Sequence, residues 1–354
     1  MIRFSIAFLL LLLPASAEVA TAVDPSDELP VGKTVIWSPL FQATWDSMNA
    51  EMGGKPLKVE PPNQLMTRLD AFEWDADRVM PEGSWKVWSG EAKKVFLDTV
   101  NKEAAAMTGE VVGPFKLMEQ VPGGLACFGL LNREVEFQTP FFKSRKVPMN
   151  FGAKKAEVSY FGVKGDLSGN YGESVKVLAF RPVDGSHALE VSCKGGDDKV
   201  VFYRPPAAQS FATACMWLRK WKKDFLWNSE LPGTWADSLL HEGDEVRVPY
   251  VSLDVTTEFS ARLQGGRYYG GAGDPWRIRR AEQVTKFELF EKGARVRVVT
   301  SLETDPFGGD IGPKPVPRRF IYDRPFFVFL WRQDAEWPYF GAWIGDATAL
   351  RKFE

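Results

Sequence analysis

Residues 286–319 read KFELFEKGARVRVVTSLETDPFGGDIGPKPVPRR, and this stretch decides the fold because three local patterns follow one another in it. Lys286–Gly293 alternates apolar and polar side chains and ends at a glycine, which predicts a half-buried strand that runs into a turn. Residues 305–319 are dense in proline and glycine and cannot continue a strand ladder, so they predict an exposed connection.

Between these two segments, residues 294–304 keep the two-residue period of a strand. One face would carry small or apolar side chains, namely Ala294, Val296, Val298, Thr300, Leu302 and Thr304. The other face would carry Arg295, Arg297, Ser301 and Glu303, and Val299 breaks the pattern. This segment is therefore predicted to be a loop that can join a sheet as a strand while its charges stay in solvent.

Two apolar runs close the chain. They cover Pro325–Trp331 and Trp337–Ile344, and the polar turn Arg332–Glu336 separates them. Apolar runs of this length without alternation are typical of strands that are buried on both faces. We predict an antiparallel hairpin here.

The order of strand, glycine hinge, strand-capable loop, proline-rich descent and buried hairpin resembles the C-terminal part of the serpins. The motifs that carry the resemblance are FELFEKGA (Phe287–Ala294), FIYDRPFFVFL (Phe320–Leu330), YFGAW (Tyr339–Trp343) and LACFGLLNREVEFQTPF (Leu125–Phe141). In the last motif, Phe137 stands where the family has a tryptophan. The resemblance extends over about Leu125–Ile344 and is weak before Leu125.

The resemblance implies an α+β fold of the divergent, compact bacterial type. Such a fold has a large, mostly antiparallel central sheet, additional sheets, surrounding helices and an exposed reactive loop, here at about residues 293–319. Because no linker or long charge run divides the mature chain, we expect residues 18–354 to form one domain.

The resemblance also implies a suicide inhibitor of a serine or cysteine endopeptidase. In serpins a protease cuts the loop, and the hinge side of the loop then inserts into the main sheet and traps the enzyme. The implied hinge residues are Glu291, Gly293, Ala294, Val296, Val298 and Thr300. Counting from Gly293 places the scissile bond at Phe307-Gly308, which suits a chymotrypsin-like protease that cuts after a large aromatic residue.

The alternative function is a non-inhibitory binding or carrier protein that keeps the fold without trapping a protease. Two departures from the family pattern favour it. The loop carries RVRVV (Arg295–Val299) where inhibitory members usually have small alanines, and Thr285 stands where they usually have a histidine. In addition, residues 108–124 are too few to hold the helix that crosses the front of the family's main sheet.

Upstream of the resemblance, periodicity and helix propensity predict helices that begin at Ser38-Pro39 and cover Asn63–Phe72 and Glu91–Met107. Strands are expected at Ser84–Gly90, Val158–Phe161, Val175–Phe180 and His187–Gly195. Further along, we expect a helix at Phe211–Phe225, a strand and a short helix within Glu245–Gln264, and a flexible loop at Gly265–Trp276.

Composition restricts the remaining functions. A net charge of −2 disfavours a dedicated nucleic-acid surface, and we expect no nucleic-acid partner, no metal, no cofactor and a monomer. The chain has two histidines, His187 and His241, so a catalytic triad of the hydrolase type would have to use one of them. Each lies beside turn-forming residues, and both are therefore interpreted as surface residues. The basic and aromatic segment Trp217–Phe225 is either a solvated helix or a polyanion or membrane surface.

The chain has three cysteines. Cys127 is interpreted as a buried free thiol because it lies in an apolar strand pattern. Cys193 and Cys215 are the one pair considered for a disulfide, and the sequence leaves that pairing open.

The N-terminus has the features of a secretory signal peptide. Met1–Ala17 contains Arg3, then an apolar run, then Ala15-Ser16-Ala17 as the cleavage site. The apolar run is too short to span a bilayer, so we expect export without a membrane anchor. N-terminal sequencing of the exported protein should therefore begin near Glu18, and material that begins at Met1 would contradict the assignment.

Overall fold

The computed structural model describes residues 19–54, 58–111, 113, 115–117, 124–144, 146–223, 226–227, 237–258, 260–263, 267–269, 278, 281–294 and 316–353. The strands of these residues are β1 (Ala20–Thr21), β2 (Val35–Trp37), β3 (Lys58–Glu60), β4 (Trp85–Glu91), β5 (Leu125–Leu131), β6 (Val135–Glu136), β7 (Phe142–Lys143), β8 (Met149–Phe151), β9 (Ala156–Val158), β10 (Tyr160–Lys164), β11 (Val175–Arg181), β12 (Ser186–Ser192), β13 (Asp198–Arg204), β14 (Leu226–Trp227), β15 (Glu245–Pro249), β16 (Val251–Glu258), β17 (Arg267–Tyr269), β18 (Glu282–Phe290), β19 (Gly293–Ala294), β20 (Arg319–Ile321), β21 (Phe326–Arg332) and β22 (Phe340–Ile344). The helices are α1 (Leu40–Glu51), α2 (Gln64–Ala71), α3 (Ala76–Val79), α4 (Lys94–Thr108), the 3₁₀ helix Gly165–Tyr171, α5 (Phe211–Lys223) and α6 (Ser260–Leu263).

Among the described residues, the largest sheet has eight strands in the order β1-β2-β22-β21-β13-β12-β11-β14. The predicted C-terminal hairpin is confirmed as β21 and β22, which pair antiparallel in its centre. Most neighbours are antiparallel, while β1 with β2 and β11 with β14 are parallel. The α+β fold class with one large antiparallel sheet is thereby confirmed.

The large sheet is buried on both faces, which explains the apolar runs of its strands. Along β13, Val200 and Phe202 face one core cluster, whereas Val201 and Tyr203 face another. The helix α5 covers the second face with Phe211, Leu218 and Trp221. The first face packs against smaller sheets, among them β20-β15-β10-β7 and β16-β18-β19-β6.

The strand predicted from LACFGLL, β5, pairs with β4 in a separate two-stranded sheet. This pair lies between two helices. On one face, Gly129 leaves room for α1, since a Cβ atom there would lie 2.5 Å from Thr44 Oγ1. On the other face, Trp88 and Phe128 pack with α4 in one apolar cluster.

The start of α1 is tied to the C-terminal hairpin. The Ser38 hydroxyl donates to the carbonyl oxygen of Tyr339 at 2.9 Å. Ser38 Oγ also accepts a hydrogen bond from Leu40 N at 3.2 Å. The predicted helix start at Ser38-Pro39 is therefore confirmed, and residues Val35–Trp37 before it form the strand β2.

Several predictions of local structure need correction. Residues Arg267–Tyr269, expected in a flexible loop, form β17 and pair with β3. Residues 245–258, expected to hold one strand, hold β15 and β16, which belong to two different sheets. His187 is buried rather than exposed, because β12 begins at Ser186 and directs its imidazole against Phe320 and Tyr322. Burial lowers the pKa of His187 to about 3, so the ring is neutral at physiological pH.

The cysteines Cys193 and Cys215 are both free and buried, and they lie in different core clusters on opposite faces of the large sheet. They cannot meet without a rearrangement of the core. Cys127 is also free and is partly exposed. Among the described residues, no helix is long and apolar enough to cross a bilayer.

Candidate functional site

The hinge of the predicted loop is itself a short strand, β19, that lies between two others. Gly293 pairs antiparallel with Phe290 and with Glu136, and Ala294 pairs with Leu289 and with Val135. The first two residues of the loop thus occupy a strand position between β18 and β6. The structure places this juncture where the sequence pattern changes from strand to loop.

Only glycine fits at position 293. The residue has a φ of +150°, and a Cβ atom built on it would lie 2.1 Å from the carbonyl oxygen of Val135. A side chain would therefore clash with the backbone of β6, which other side-chain movements cannot relieve. The glycine allows the chain to reverse direction and enter between the two strands.

The turn before Gly293 is held by Glu291. Its carboxylate is buried, accepts a hydrogen bond from the Tyr250 hydroxyl at 3.0 Å and pairs with Lys143 Nζ at 3.0 Å. The carbonyl of Glu291 accepts from Phe141 N at 2.8 Å, and the carbonyl of Lys292 accepts from Phe137 N at 2.7 Å. These bonds link the hinge to the end of the motif Leu125–Phe141.

Ala294 points into the core. Its side chain is 2% exposed and belongs to the same apolar cluster as Val135 and Leu289, the residues opposite it. Residues paired across an antiparallel sheet share a face. Every second residue after Ala294 would therefore face the core if the loop continued along the same path.

Two strand edges flank that path. Within the described part of the chain, β5 is hydrogen-bonded only to β4, and β18 meets β19 only at Leu289 and Phe290 although it pairs with β16 along its length. The even-numbered residue Asn132 donates its N–H to Ser84 O, next to β4, whereas the odd-numbered residue Phe137 donates its N–H to Lys292 O, at the hinge. Alternate residues of a strand direct their N–H groups to opposite edges. The edge of β5 that does not pair with β4 therefore faces the same side as the hinge.

The pairing of β19 fixes a register for the rest of the loop. Continued one residue at a time, it would place Val296 between Arg133 and Phe287, and Val298 between Leu131 and Thr285. Thr304 would lie opposite Leu125, the first residue of β5. The predicted strand-capable segment 294–304 thus matches the length of the edge available to it. Unpaired edges of this kind accept an added strand.

Several residues of the predicted site lie outside the described residues. They are Val296, Val298, Thr300, Phe307 and Gly308. The signal peptide, Met1–Ala17, and the glycine-rich Gly270–Gly273 also lie outside them. Their assignments stay predictions from the sequence.

The far end of the loop is anchored by a buried ion pair. Arg318 and Asp244 are both fully buried, with Arg318 NH2 2.8 Å from Asp244 Oδ2 and Arg318 N donating to Asp244 Oδ1 at 2.7 Å. The guanidinium also donates to the carbonyl oxygens of Asp237, at 3.0 Å, and Leu239. The next residue, Arg319, starts β20 and donates to Glu245 Oε2 at 3.0 Å. Sequence reasoning missed this anchor, since the pair RR after a proline-rich run reads as solvated charge.

The helix α4 covers the face of β4 and β5 that is opposite α1. Phe96 and Phe128 contact each other there with ring centroids 6.1 Å apart, and Val100 and Ala104 are fully buried. This helix directly follows β4 in the chain. Helix α4 therefore covers the face of β4 and β5 that is opposite α1, although residues 108–124 are too few to form the crossing helix that the resemblance implies.

The basic helix α5 supports the interpretation as a solvated helix more than the interpretation as a polyanion surface. Lys222 pairs with Glu190 at 3.2 Å, Arg219 pairs with Glu336 at 2.7 Å, and Lys220 lies over the Trp217 ring at 5.4 Å. Trp221 is buried against Tyr203. Two basic side chains of α5, Lys222 and Arg219, are thus already paired with carboxylates.

Comparisons with known proteins agree with this architecture. No family model matches the sequence, and no curated protein matches it. Among solved structures, the chain is similar to thyroxine-binding globulin in complex with thyroxine, with a TM-score of 0.51 and 13% identity over 89% of this chain and 93% of that one. It is also similar to a serpin from the trematode Schistosoma haematobium, with a TM-score of 0.53 and 12% identity over 89% and 94%.

A further match is human thyroxine-binding globulin in complex with its ligand, with a TM-score of 0.50 and 14% identity over 89% and 92% of the two chains. At these identities the likeness shows the fold and not the activity. The chain therefore has a serpin-like fold.

The first prediction from the site concerns Ala294. The substitution Ala294→Arg would place a charge in the apolar cluster, where an unpaired charge is strongly unfavourable. Because Ala294 is already buried between β18 and β6, the charge should displace β19 from this position and lower the melting temperature of the uncut chain. If insertion continues from β19, the variant should also lose the rise in melting temperature that follows cleavage. The control is Glu288→Arg on the exposed face of β18, which should leave both values close to those of the wild type. An Ala294→Arg chain that melts like the wild type before cleavage and gains full stability after it would contradict the role of this position.

The second prediction concerns the far anchor. Asp244→Asn would remove the negative charge that faces the buried guanidinium of Arg318, and it would replace an acceptor oxygen with an amide group that faces the donors of Arg318. We expect the free energy of unfolding in urea to fall by about 3–5 kcal/mol. Asp254→Asn, which removes an exposed pair with Lys286, is the control and should change it little. Equal stability of both variants would contradict the role of the anchor.

Proposed function

We propose that this chain, which has a serpin-like fold, is an exported suicide inhibitor of a serine or cysteine endopeptidase that acts through the loop 293–319. The observation that carries the proposal is the two-sided pairing of β19. The hinge already occupies the first position of an additional strand, and Ala294 points inward. Beyond Ala294, the edges of β5 and β18 flank the path along which this strand would continue.

The composition of the loop suits this insertion. In the register of β19, the apolar side chains of Val296, Val298 and Leu302 would enter the core side, where burial of each contributes about 1.5–3 kcal/mol. Arg295 and Arg297 would stay on the solvent side, so no charge of the loop would be buried. New backbone hydrogen bonds to both edges would add to the gain.

Inhibition would follow from the order of events at the cut. The nucleophile of the protease attacks the scissile carbonyl and holds the hinge side of the loop as an acyl-enzyme, while the other side leaves as a new amino terminus. If the hinge side then inserts faster than water hydrolyses the acyl bond, the protease stays attached. If insertion is slower, water hydrolyses the acyl bond and the protein leaves the protease with its loop cleaved, as a substrate would.

A binding or carrier function on the same fold is the alternative, since two of the similar structures are complexes of thyroxine-binding globulin with its ligand. Both functions use the same frame, so the behaviour of the loop separates them. A covalent, denaturant-resistant complex with a protease on a gel would establish inhibition. Clean cleavage without a complex would favour the carrier function.

The third prediction places the cut. We expect a chymotrypsin-like protease to cleave at Phe307-Gly308, because the aromatic side chain suits its specificity pocket and Gly308 leaves the next position unobstructed. The competing site after Lys314 is followed by Pro315, which trypsin-like proteases cut poorly. Cleavage should raise the melting temperature as residues 294–304 join the sheet.

Mass spectrometry of the digest and a thermal scan before and after it provide the measurement. The variant Phe307→Asp is the control, because it should resist cleavage and keep its original melting temperature. Cleavage at another bond would remove the site assignment, whereas cleavage here without stabilisation would support the carrier function. We also expect the protein to be secreted and to be a monomer.

A further inference from the structure

Arg133 occupies an inward position on the strand path that the loop would extend. Along this path the odd-numbered residues face the core: Val135 and Phe137 are buried in the main apolar cluster, and Leu131 packs against it. Arg133 lies between Leu131 and Val135, in the short break between β5 and β6. A guanidinium therefore stands where the pattern calls for an apolar side chain.

The charge of Arg133 is matched by Asp198, a residue of the large sheet. Arg133 donates from Nε to Asp198 Oδ2 at 3.1 Å and from NH2 to the same oxygen. The other carboxylate oxygen accepts from the buried Tyr339 hydroxyl at 3.0 Å. The pair thus bridges the strand that would receive the loop and the sheet behind it.

The ion pair is open on one side. The side chain of Asp198 is 3% exposed, whereas that of Arg133 is 32% exposed. In the register set by β19, the first inward residue of the loop, Ala294, is already in place, and the next one, Val296, would lie beside Arg133. Insertion beyond Ala294 would therefore remove water from the guanidinium.

We propose that the Arg133–Asp198 pair is a gate at the second inward position of the loop, which sets how fast insertion passes from Ala294 to Val296. The proposal rests on the proposed function. When both charges are matched, Val296 can cover the pair at a moderate desolvation penalty. When Asp198 is neutralised, the guanidinium would be buried without a counter-charge, and insertion would stop after Ala294. Arg133 and Asp198 are positioning residues and do not touch the protease.

The test compares the wild type with Asp198→Asn, Arg133→Lys and the double variant Arg133→Met with Asp198→Asn. Each loop is cut by a protease that cleaves within residues 305–315, and hydrogen exchange of Leu125–Leu131 is followed in time by mass spectrometry. Amide groups on the edge of β5 that is opposite β4, which has no strand partner among the described residues, should become protected only when the loop inserts past the gate. Urea unfolding of each uncut chain reports stability separately.

We expect protection to develop about a hundredfold more slowly in Asp198→Asn than in the wild type, since breaking a buried pair leaves an uncompensated charge. The double variant has no charge to desolvate and should insert at least as fast as the wild type. Arg133→Lys keeps the charge pair and should stay within about tenfold of it.

Wild-type rates in Asp198→Asn, or insertion in the double variant that is slower than in the wild type, would overturn the gate. If Asp198→Asn does not fold, the double variant decides alone. A wild type that gains neither protection nor thermal stability after cleavage would instead overturn the proposed function, so the two failures are distinguishable.

Discussion

The two-sided pairing of Ala294 is the constraint on which the rest of the site depends. Because paired residues of an antiparallel sheet share a face, its contacts with Val135 and Leu289 assign a face to each residue that would follow. A shift by one residue would direct Arg295 and Arg297 into the core. Gly293 excludes this shift, because no other residue fits the close approach to the Val135 carbonyl.

The structure combines a rigid frame with an incompletely paired strand slot. The large sheet is buried on both faces, and strands such as β13, β21 and β22 bury almost every side chain. The edges of β5 and β18 have no further strand partner among the residues described, and all seven residues of β5 are only partly buried. Elements that change in a conformational switch come from the less stable parts of a fold, while the packed frame keeps their ends in place.

Periodicity predicted the elements whose burial follows a simple pattern. The alternation in KFELFEKG located β18, the unbroken apolar runs located β21 and β22, and helical spacing located α1 and α5. Polar pairs inside the core were not predictable in this way, because Arg133 or Arg318 looks like solvated charge until its distant partner is known. His187 was assigned to the surface for a related reason: the turn before it is visible in the sequence, whereas the aromatic side chains that cover it come from β20 and the residue after it. The division between β15 and β16 was missed because Pro249 interrupts no apolar pattern.

Whether such a loop traps a protease depends on the early steps of insertion and not on the total stability gained. The acyl bond is lost to water at a fixed rate, so only the steps that precede full insertion compete with it. Ala294 is already paired in the uncut chain, which removes the nucleation step that a free loop end would need. If insertion continues in the register of β19, the first new step would bring Val296 beside Arg133 and Phe287, where a β-branched side chain would have to fit between a guanidinium and an aromatic ring. Under the proposed function, the local geometry at this one position would therefore influence the outcome more than the apolar residues that would insert after it.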